Sequence, residues 1–284
     1  MRRSLTERAL FLLFALMSGY GASADPLVAG ADIDYAPFSY LEHDEPIGFD
    51  IDFAELLAES MGRDFSYRLA PWREIHRSLR EGEIDVVLGA LYTPAREEYL
   101  SFTNPYNTFE FSLVVHESSK VSSVRQMDGR TMAYLEYDAV PEILLRKMGV
   151  EPDMVSYPSL SRSVEAVADG EQHFTVAPRA FVHALDDSIR ERIRVIHHDE
   201  LVCTYRIGVR KALDALLPAM NRAIAEIVSS PEYAALQQRW FEVSHGPGEP
   251  EFADGTAETL RVAIALIVLL AAVGTILSMR LRAQ

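Results

Sequence analysis

Short apolar runs alternate with amphipathic stretches through most of this chain, and the alternation occurs twice. Pro26 to Gly30 reads as a strand. Asp52 to Gly62 reads as a helix with Phe53, Leu56, Leu57 and Met61 on one side and Gly62 as its C-cap. Phe65 to Leu69 is a second strand, Trp72 to Glu81 a second helix, and Ile84 to Leu88 a strand buried on both faces of a parallel sheet. The rhythm restarts at Thr131. Strand Thr131 to Leu135, helix Pro141 to Met148 capped by Gly149, strand Met154 to Tyr157, helix Ser161 to Ala168 ended by Gly170, and strand Phe174 to Ala177 follow one another. Such order predicts two α/β units, each a parallel sheet covered by helices. Phe109 to Val115 and Leu201 to Val209 are longer β-prone segments, placed where the chain can cross between units and return, as a hinge. Ala212 to Val228 and Pro231 to Phe241 read as two helices that pack back on the first unit.

The two ends carry another pattern. Arg2, Arg3 and Arg8 precede an apolar core from Ala9 to Met17 and the small residues Ala22-Ser23-Ala24, which is the build of a secretory signal peptide cleaved after Ala24. Val262 to Met279 is an uninterrupted apolar run flanked by Arg261, Arg280 and Arg282, long enough to cross a bilayer. A buried soluble helix is the competing reading of that run. Gly246-Pro247-Gly248-Glu249-Pro250 ahead of it has the composition of a linker. The expected organisation is therefore a signal peptide over 1–24, a first lobe over 25–115, a second lobe over 116–204 and a return to the first lobe over 205–245. A linker over 246–260, a transmembrane helix over 261–280 and a cytoplasmic tail over 281–284 complete it. The body is expected on the extracytoplasmic face, anchored in the cytoplasmic membrane by the C-terminal helix. A five-residue tail after Met279 holds no signalling domain, so output is expected to pass through an inner-membrane transporter or a membrane sensor protein.

Composition narrows the chemistry. Cys203 is the sole cysteine, which rules out an internal disulfide and a lipid-bearing cysteine after the leader; its apolar surroundings suit a small buried hydrophobe. The formal net charge is −15, and removal of the leader, which carries a net +2, leaves about −17, which argues against nucleic acid as a partner. The eight histidines show no metal-ligand spacing, and neither a Gly-x-Ser-x-Gly elbow nor a phosphate loop is present. No metal, cofactor or catalytic set is expected.

One stretch reads as an anion site. After the strand ending at Leu88, Thr93 suits an N-cap and Pro94 the first helical position, so Arg96 projects from a first helical turn whose free amides favour a negative group. A guanidinium beside such amides suits a carboxylate gripped through two parallel hydrogen bonds. Pairing of Arg96 with Glu97, Glu98 or another surface acid is the alternative.

Several short motifs then fall in a familiar order: Tyr35-Ala-Pro-Phe-Ser-Tyr40, Gly48-Phe-Asp-Ile-Asp52, Gly82-Glu-Ile-Asp85, Thr93-Pro-Ala-Arg96, Phe102-Thr-Asn-Pro-Tyr106, Gly129-Arg-Thr131, Ala166-Val-Ala-Asp-Gly170, Tyr205-Arg-Ile-Gly-Val-Arg210 and Tyr233 through Trp240-Phe241. Over about Leu27 to Phe241 the chain resembles the extracytoplasmic solute-binding proteins of family 3, the polar amino-acid type. The resemblance implies an α/β, two-lobed periplasmic-binding-protein-like fold of type II, with two β-strand hinge crossovers, closing on a small solute. It places Tyr35 and Trp72 as aromatics on either side of the ligand and Arg96 on its α-carboxylate, with core packing as the other reading of Trp72. Departures from the pattern are informative. Leu91 stands where the family has a hydroxyl, so Gly89 and Ala90 offer backbone groups alone. Tyr137-Asp138-Ala139 replaces a Gly-Thr-Thr turn, and Pro178, beside Arg179, replaces the acid that takes the α-amine. Asp138 is expected either to restore an amine contact or to cap the following helix. Otherwise the ligand is a carboxylate without an α-amine, held by Arg96 and Arg179. The expected function is capture of a small carboxylate-bearing, amino-acid-like solute for an ABC-type importer, with sensing through a partner kinase or cyclase as the alternative. A dehydratase using Asp138 or Glu136, as in some relatives of the fold, is the enzymatic alternative; the main expectation is a binding protein and not an enzyme.

Overall fold

The computed structural model describes residues 25–241; the expected signal peptide and the expected membrane helix over Val262 to Met279 lie outside them. Twelve strands and eight helices are found among the described residues. The first lobe opens with β1 (Leu27–Asp32), β2 (Asp34–Tyr35), β3 (Ser39–Glu42) and β4 (Glu45–Ile47), then α1 (Phe49–Met61), β5 (Phe65–Ala70), α2 (Trp72–Glu81), β6 (Val86–Leu91), β7 (Leu100–Phe102) and β8 (Asn107–His116). Next come β9 (Thr131–Leu135), α3 (Val140–Met148), β10 (Asp153–Tyr157), α4 (Leu160–Ala168), β11 (Phe174–Pro178), α5 (Arg179–Ala184) and α6 (Asp187–Arg190). β12 (Ile193–Arg210), α7 (Leu217–Ile227) and α8 (Pro231–Phe241) finish the fold.

The main sheet runs in the order β10-β9-β11-β8-β12-β6-β1-β5, with β7 added on β12, while β2, β3 and β4 form a separate small sheet. Pairing is parallel within each lobe, β1 with β5 and β6, and β9 with β10 and β11. It becomes antiparallel wherever β8 or β12 is involved. The purely parallel sheets expected from the sequence are thus corrected to a mixed one, because the two crossing strands enter it between β11 and β6. β8 pairs β11 through Phe111–Val115, and β12 pairs β6 through Tyr205–Val209, so each strand serves both lobes. Between His197 and Val202 the β12 register against β8 slips, at the level where the strands change lobe.

Apolar burial explains the central elements. All but one residue of β1 is buried, and α2 turns Trp72, Ile75, His76 and Leu79 inward. Phe38, Phe49, Phe109, Tyr205 and Phe241 meet near the crossover, with Phe38 and Phe109 centroids 4.7 Å apart and Phe49 and Phe241 4.8 Å apart. These aromatic contacts fasten the last helix to the crossing strands. α1 starts three residues earlier than expected because Gly48, at φ 130°, turns the chain there; a Cβ on it would lie 2.2 Å from the Phe38 carbonyl oxygen. The expected helix over Ala212 to Val228 is shorter. Lys211–Leu216 forms tight 3₁₀ turns, with Leu213 outside helical geometry, and α7 begins at Leu217 because Pro218 has no amide to continue an upstream ladder. Among the described residues no helix is long and apolar enough to cross a membrane.

Candidate functional site

Strand ends and one tight turn converge on a cavity between the lobes. β1 ends at Asp32, which is 5% exposed. Its Oδ1 accepts the Asp34 amide at 2.8 Å, whereas its Oδ2 is buried with no partner. Burial pushes Asp32 up to about 7, against the pull of the Asp34 amide and, more weakly, of the Trp72 amide. Asp50, in the first turn of α1, accepts the Tyr106 hydroxyl at 2.6 Å, and that hydroxyl accepts the Gly89 amide at 3.0 Å. Burial also raises Asp50 to about 7, with the Tyr106 bond opposing. A Cβ on Gly89, at φ 65°, would come within 2.8 Å of Asp50 Oδ2, so a side chain at this point of β6 would be strained and would displace the Asp50 carboxyl. Tyr35 and Tyr205 share a hydroxyl–hydroxyl bond of 2.6 Å on the same wall.

Arg96 lies in the cavity, but not on a helix of useful length. The expected helix is corrected to a single 3₁₀ turn, Arg96–Glu98, whose Arg96 amide donates to Thr93 Oγ1 at 3.3 Å. Pairing of Leu100 with Arg210 begins β7 immediately afterwards and stops the turn. Arg96 Nη1 donates to the Leu91 carbonyl at 2.8 Å and Nη2 to the Tyr137 carbonyl at 2.7 Å, across the lobes. Its guanidinium stands 5.7 Å from the centre of the Trp72 ring. Burial lowers the Arg96 pKa from its usual range, and the neighbouring Asp138 opposes this.

Asp138 precedes α3, and its Oδ1 accepts the Ala139 amide at 2.6 Å and the Val140 amide at 3.4 Å at the helix entry. Burial raises its pKa, and Arg96 counters. Tyr137 before it adopts φ 68°, an uncommon conformation for a residue with a side chain. Its ring stacks on His76 at 6.0 Å, and Arg80 lies 5.6 Å from its centre. His76 is held well below its usual pKa by burial, then by Arg96 and Arg80, and its Nδ1 pairs with the Tyr99 hydroxyl at 3.1 Å. Ser161 also donates to Asp34 at 2.8 Å, and Arg73 meets Glu136 at 3.6 Å, both from one lobe to the other.

Of the residues singled out in the sequence, Tyr35, Trp72, Gly89, Leu91, Arg96 and Asp138 line the cavity. Ala90 is buried in β6 but lies outside the lining, and Arg179 turns to Glu110 at 3.3 Å on the exposed side. Asp32, Ser39, Asp50, Leu88, Leu135 and Tyr205 line it without having been anticipated. Asp50 and Tyr205 sit inside quoted motifs, and Asp32 stands three residues before Tyr35; what was missing was the convergence of these segments. The cavity measures about 30 Å³, room for a water molecule, so a larger solute requires the lobes to part. Cys203 is free and buried, its thiol raised to about 11 by burial. No cluster of metal-ligating side chains is found among the described residues.

Comparison with known proteins matches residues 27–243 to the family described as bacterial extracellular solute-binding proteins, family 3. The arginine-binding extracellular protein ArtP of Bacillus subtilis (strain 168) is 29% identical over 116 residues, 40% of this chain and 46% of that protein. The membrane-bound lytic murein transglycosylase F of Desulfosudis oleivorans is 25% identical over 208 residues, covering 71% of this chain and 46% of that one. The chain thus spans about half the length of these two relatives. The ABC transporter arginine-binding protein 1 of Escherichia coli (strain K12) is 25% identical over 240 residues, covering 81% of this chain and 98% of that one. Among solved structures, a histidine kinase sensor domain with similarity to periplasmic binding proteins superposes with a TM-score of 0.70 at 22% identity, covering 78% of this chain and 98% of that one. That likeness speaks to the fold.

Proposed function

The chain belongs to the bacterial extracellular solute-binding proteins, family 3, and from this premise we propose that it captures a small amino-acid-like solute outside the cytoplasm and presents it to a membrane importer. The observation that carries the reading is the cavity where both lobes converge, lined by charged and aromatic side chains that a ligand would bring together. Closure follows as a population shift, driven by contacts that exist only when both lobes touch the solute. Tyr35 and Trp72 supply its aromatic walls, Gly89 and Leu91 supply backbone groups for which a ligand would compete with Tyr106 and Arg96, and Asp138 faces an amine. Arg96 is the cation for which an anionic group would compete with two carbonyls. The run Val262 to Met279 is proposed as the membrane tether that keeps the module near its partner. The arginine-binding relatives point to amino acids, cationic ones included, as the first solutes to try.

Sensing is the second reading, favoured by the kinase sensor-domain likeness. Thermal-shift screening of the purified protein against amino acids, amines and simple carboxylates tests solute capture, because a ligand of the native state raises the melting temperature. Cells lacking the chain then separate the two outputs. Lost uptake of the hit solute supports delivery, whereas intact uptake with a lost transcriptional response to it supports sensing. Incubation of protein with the hit, followed by chromatography, checks turnover; a product would move the protein into the enzyme class.

A further inference from the structure

Part of each receptor that an anion would use in this cleft is already engaged by the chain itself. Nη1 and Nη2 of Arg96 donate to the carbonyls of Leu91 and Tyr137 at 2.8 and 2.7 Å. The leading amides of α3, those of Ala139 and Val140, donate to Asp138 Oδ1. A free carboxylate gripped at the Nη1–Nη2 edge or at the helix entry would compete with these internal acceptors and would approach the Asp138 carboxyl as it did so. The unmet need on the opposite wall has the other sign. Asp32 Oδ2 is buried without a hydrogen-bond partner, and the residues lining the cavity bring three carboxyl groups, Asp32, Asp50 and Asp138, together with the single guanidinium of Arg96. Trp72 and Tyr35 add aromatic surface to the lining. The buried Trp72 indole N–H is a lining donor without a partner, and its neutral group suits a carbonyl or hydroxyl without calling for an anion.

We propose that the cleft selects an amine that lacks a free carboxylate, the decarboxylated or amidated counterpart of an amino acid. The ammonium group donates to Asp32 Oδ2, while Arg96 and the Tyr137-Asp138 turn act as specificity determinants that reject the parent acid. The inference rests on the reading of this cleft as a solute site, and the test separates the two.

The test is isothermal titration of the full-length purified protein with matched pairs: alanine and alaninamide, phenylalanine and phenethylamine, lysine and cadaverine, arginine and agmatine. In the pairs that bind, the carboxylate-free member is expected to bind at least about tenfold more tightly than its parent. Equal or tighter binding of the parents overturns the inference and leaves the solute site standing; silence across every pair overturns both. Asp32→Asn is expected to weaken amine binding by about tenfold or more with cooperative melting retained. The double variant Tyr137→Gly, Asp138→Thr removes the internal anion and is expected to gain affinity for the parent amino acids. A folded double variant with the same preference as the wild type would refute the assigned role of the turn.

Discussion

Asp32 and Asp50 carry the clearest pH signature of the molecule, since burial raises each to about 7. In the unfolded chain an aspartate titrates near about 3.9. Between those values the folded protein retains protons that the unfolded chain releases, so these residues favour the native state at low pH and lose that contribution as pH rises from about 4 to about 7. Asp50→Asn is expected to flatten the melting temperature against pH over that window relative to wild type, removing a slope of up to about 1.4 kcal/mol per pH unit. An unchanged slope would mean that Asp50 ionises normally in the folded state. Arg96 makes a second residue-scale prediction. Arg96→Ala leaves the Leu91 and Tyr137 carbonyls without their donor and Asp138 without its nearest cation. A loss of about 2–4 kcal/mol is expected by chemical denaturation, with a smaller loss for Arg96→Lys, which keeps the charge but not the fork. The sequence singled out Arg96 from its setting after a strand, and in the structure Arg96 lines the cavity. Its bonding partner Tyr137 lies 41 residues away, and no local pattern announces a carbonyl aimed at it.

At the scale of elements, local signals worked where a segment's own periodicity met no competitor. α2, α8 and β9 have the expected bounds, and α1 and α3 end at glycines as read. Errors arose where tertiary pairing or a neighbouring atom decides. The helix after Thr93 shrinks to one turn because β7 must pair with β12, and α1 gains a turn because Gly48 takes a conformation imposed by Phe38. Gly48→Ala is therefore expected to cost at least about 2 kcal/mol, read as a fall in melting temperature, since the added methyl meets backbone that cannot withdraw. A neutral result would show that the segment before α1 can shift as a unit.

For the whole molecule, the ties between lobes set the balance between open and closed forms. Ser161 to Asp34, Arg96 to the Tyr137 carbonyl and the Tyr137 ring on His76 all cross the cleft. The exposed Arg73–Glu136 pair contributes less than about 1 kcal/mol and little at high salt. Trp72, 6% exposed against the cavity, reports on opening once Trp240→Phe has removed the other indole. In that background, Ser161→Ala with Tyr137→Gly is expected to red-shift Trp72 emission and to increase its quenching by acrylamide, while added salt alone leaves both unchanged. No shift would place the ties elsewhere.

The sequence by itself determined the alternation of strands and helices, the restart at Thr131, the two crossing segments and a candidate cation at Arg96, because these depend on periodicity and turn chemistry within a few residues. Which carboxylates share the cavity, and which of its donors are already taken, was decided by the tertiary structure alone. Asp32, Asp50, Arg96 and Asp138 come from four separate elements, and their charges, burial and hydrogen bonds acquire meaning only when β8 and β12 bring the two lobes face to face.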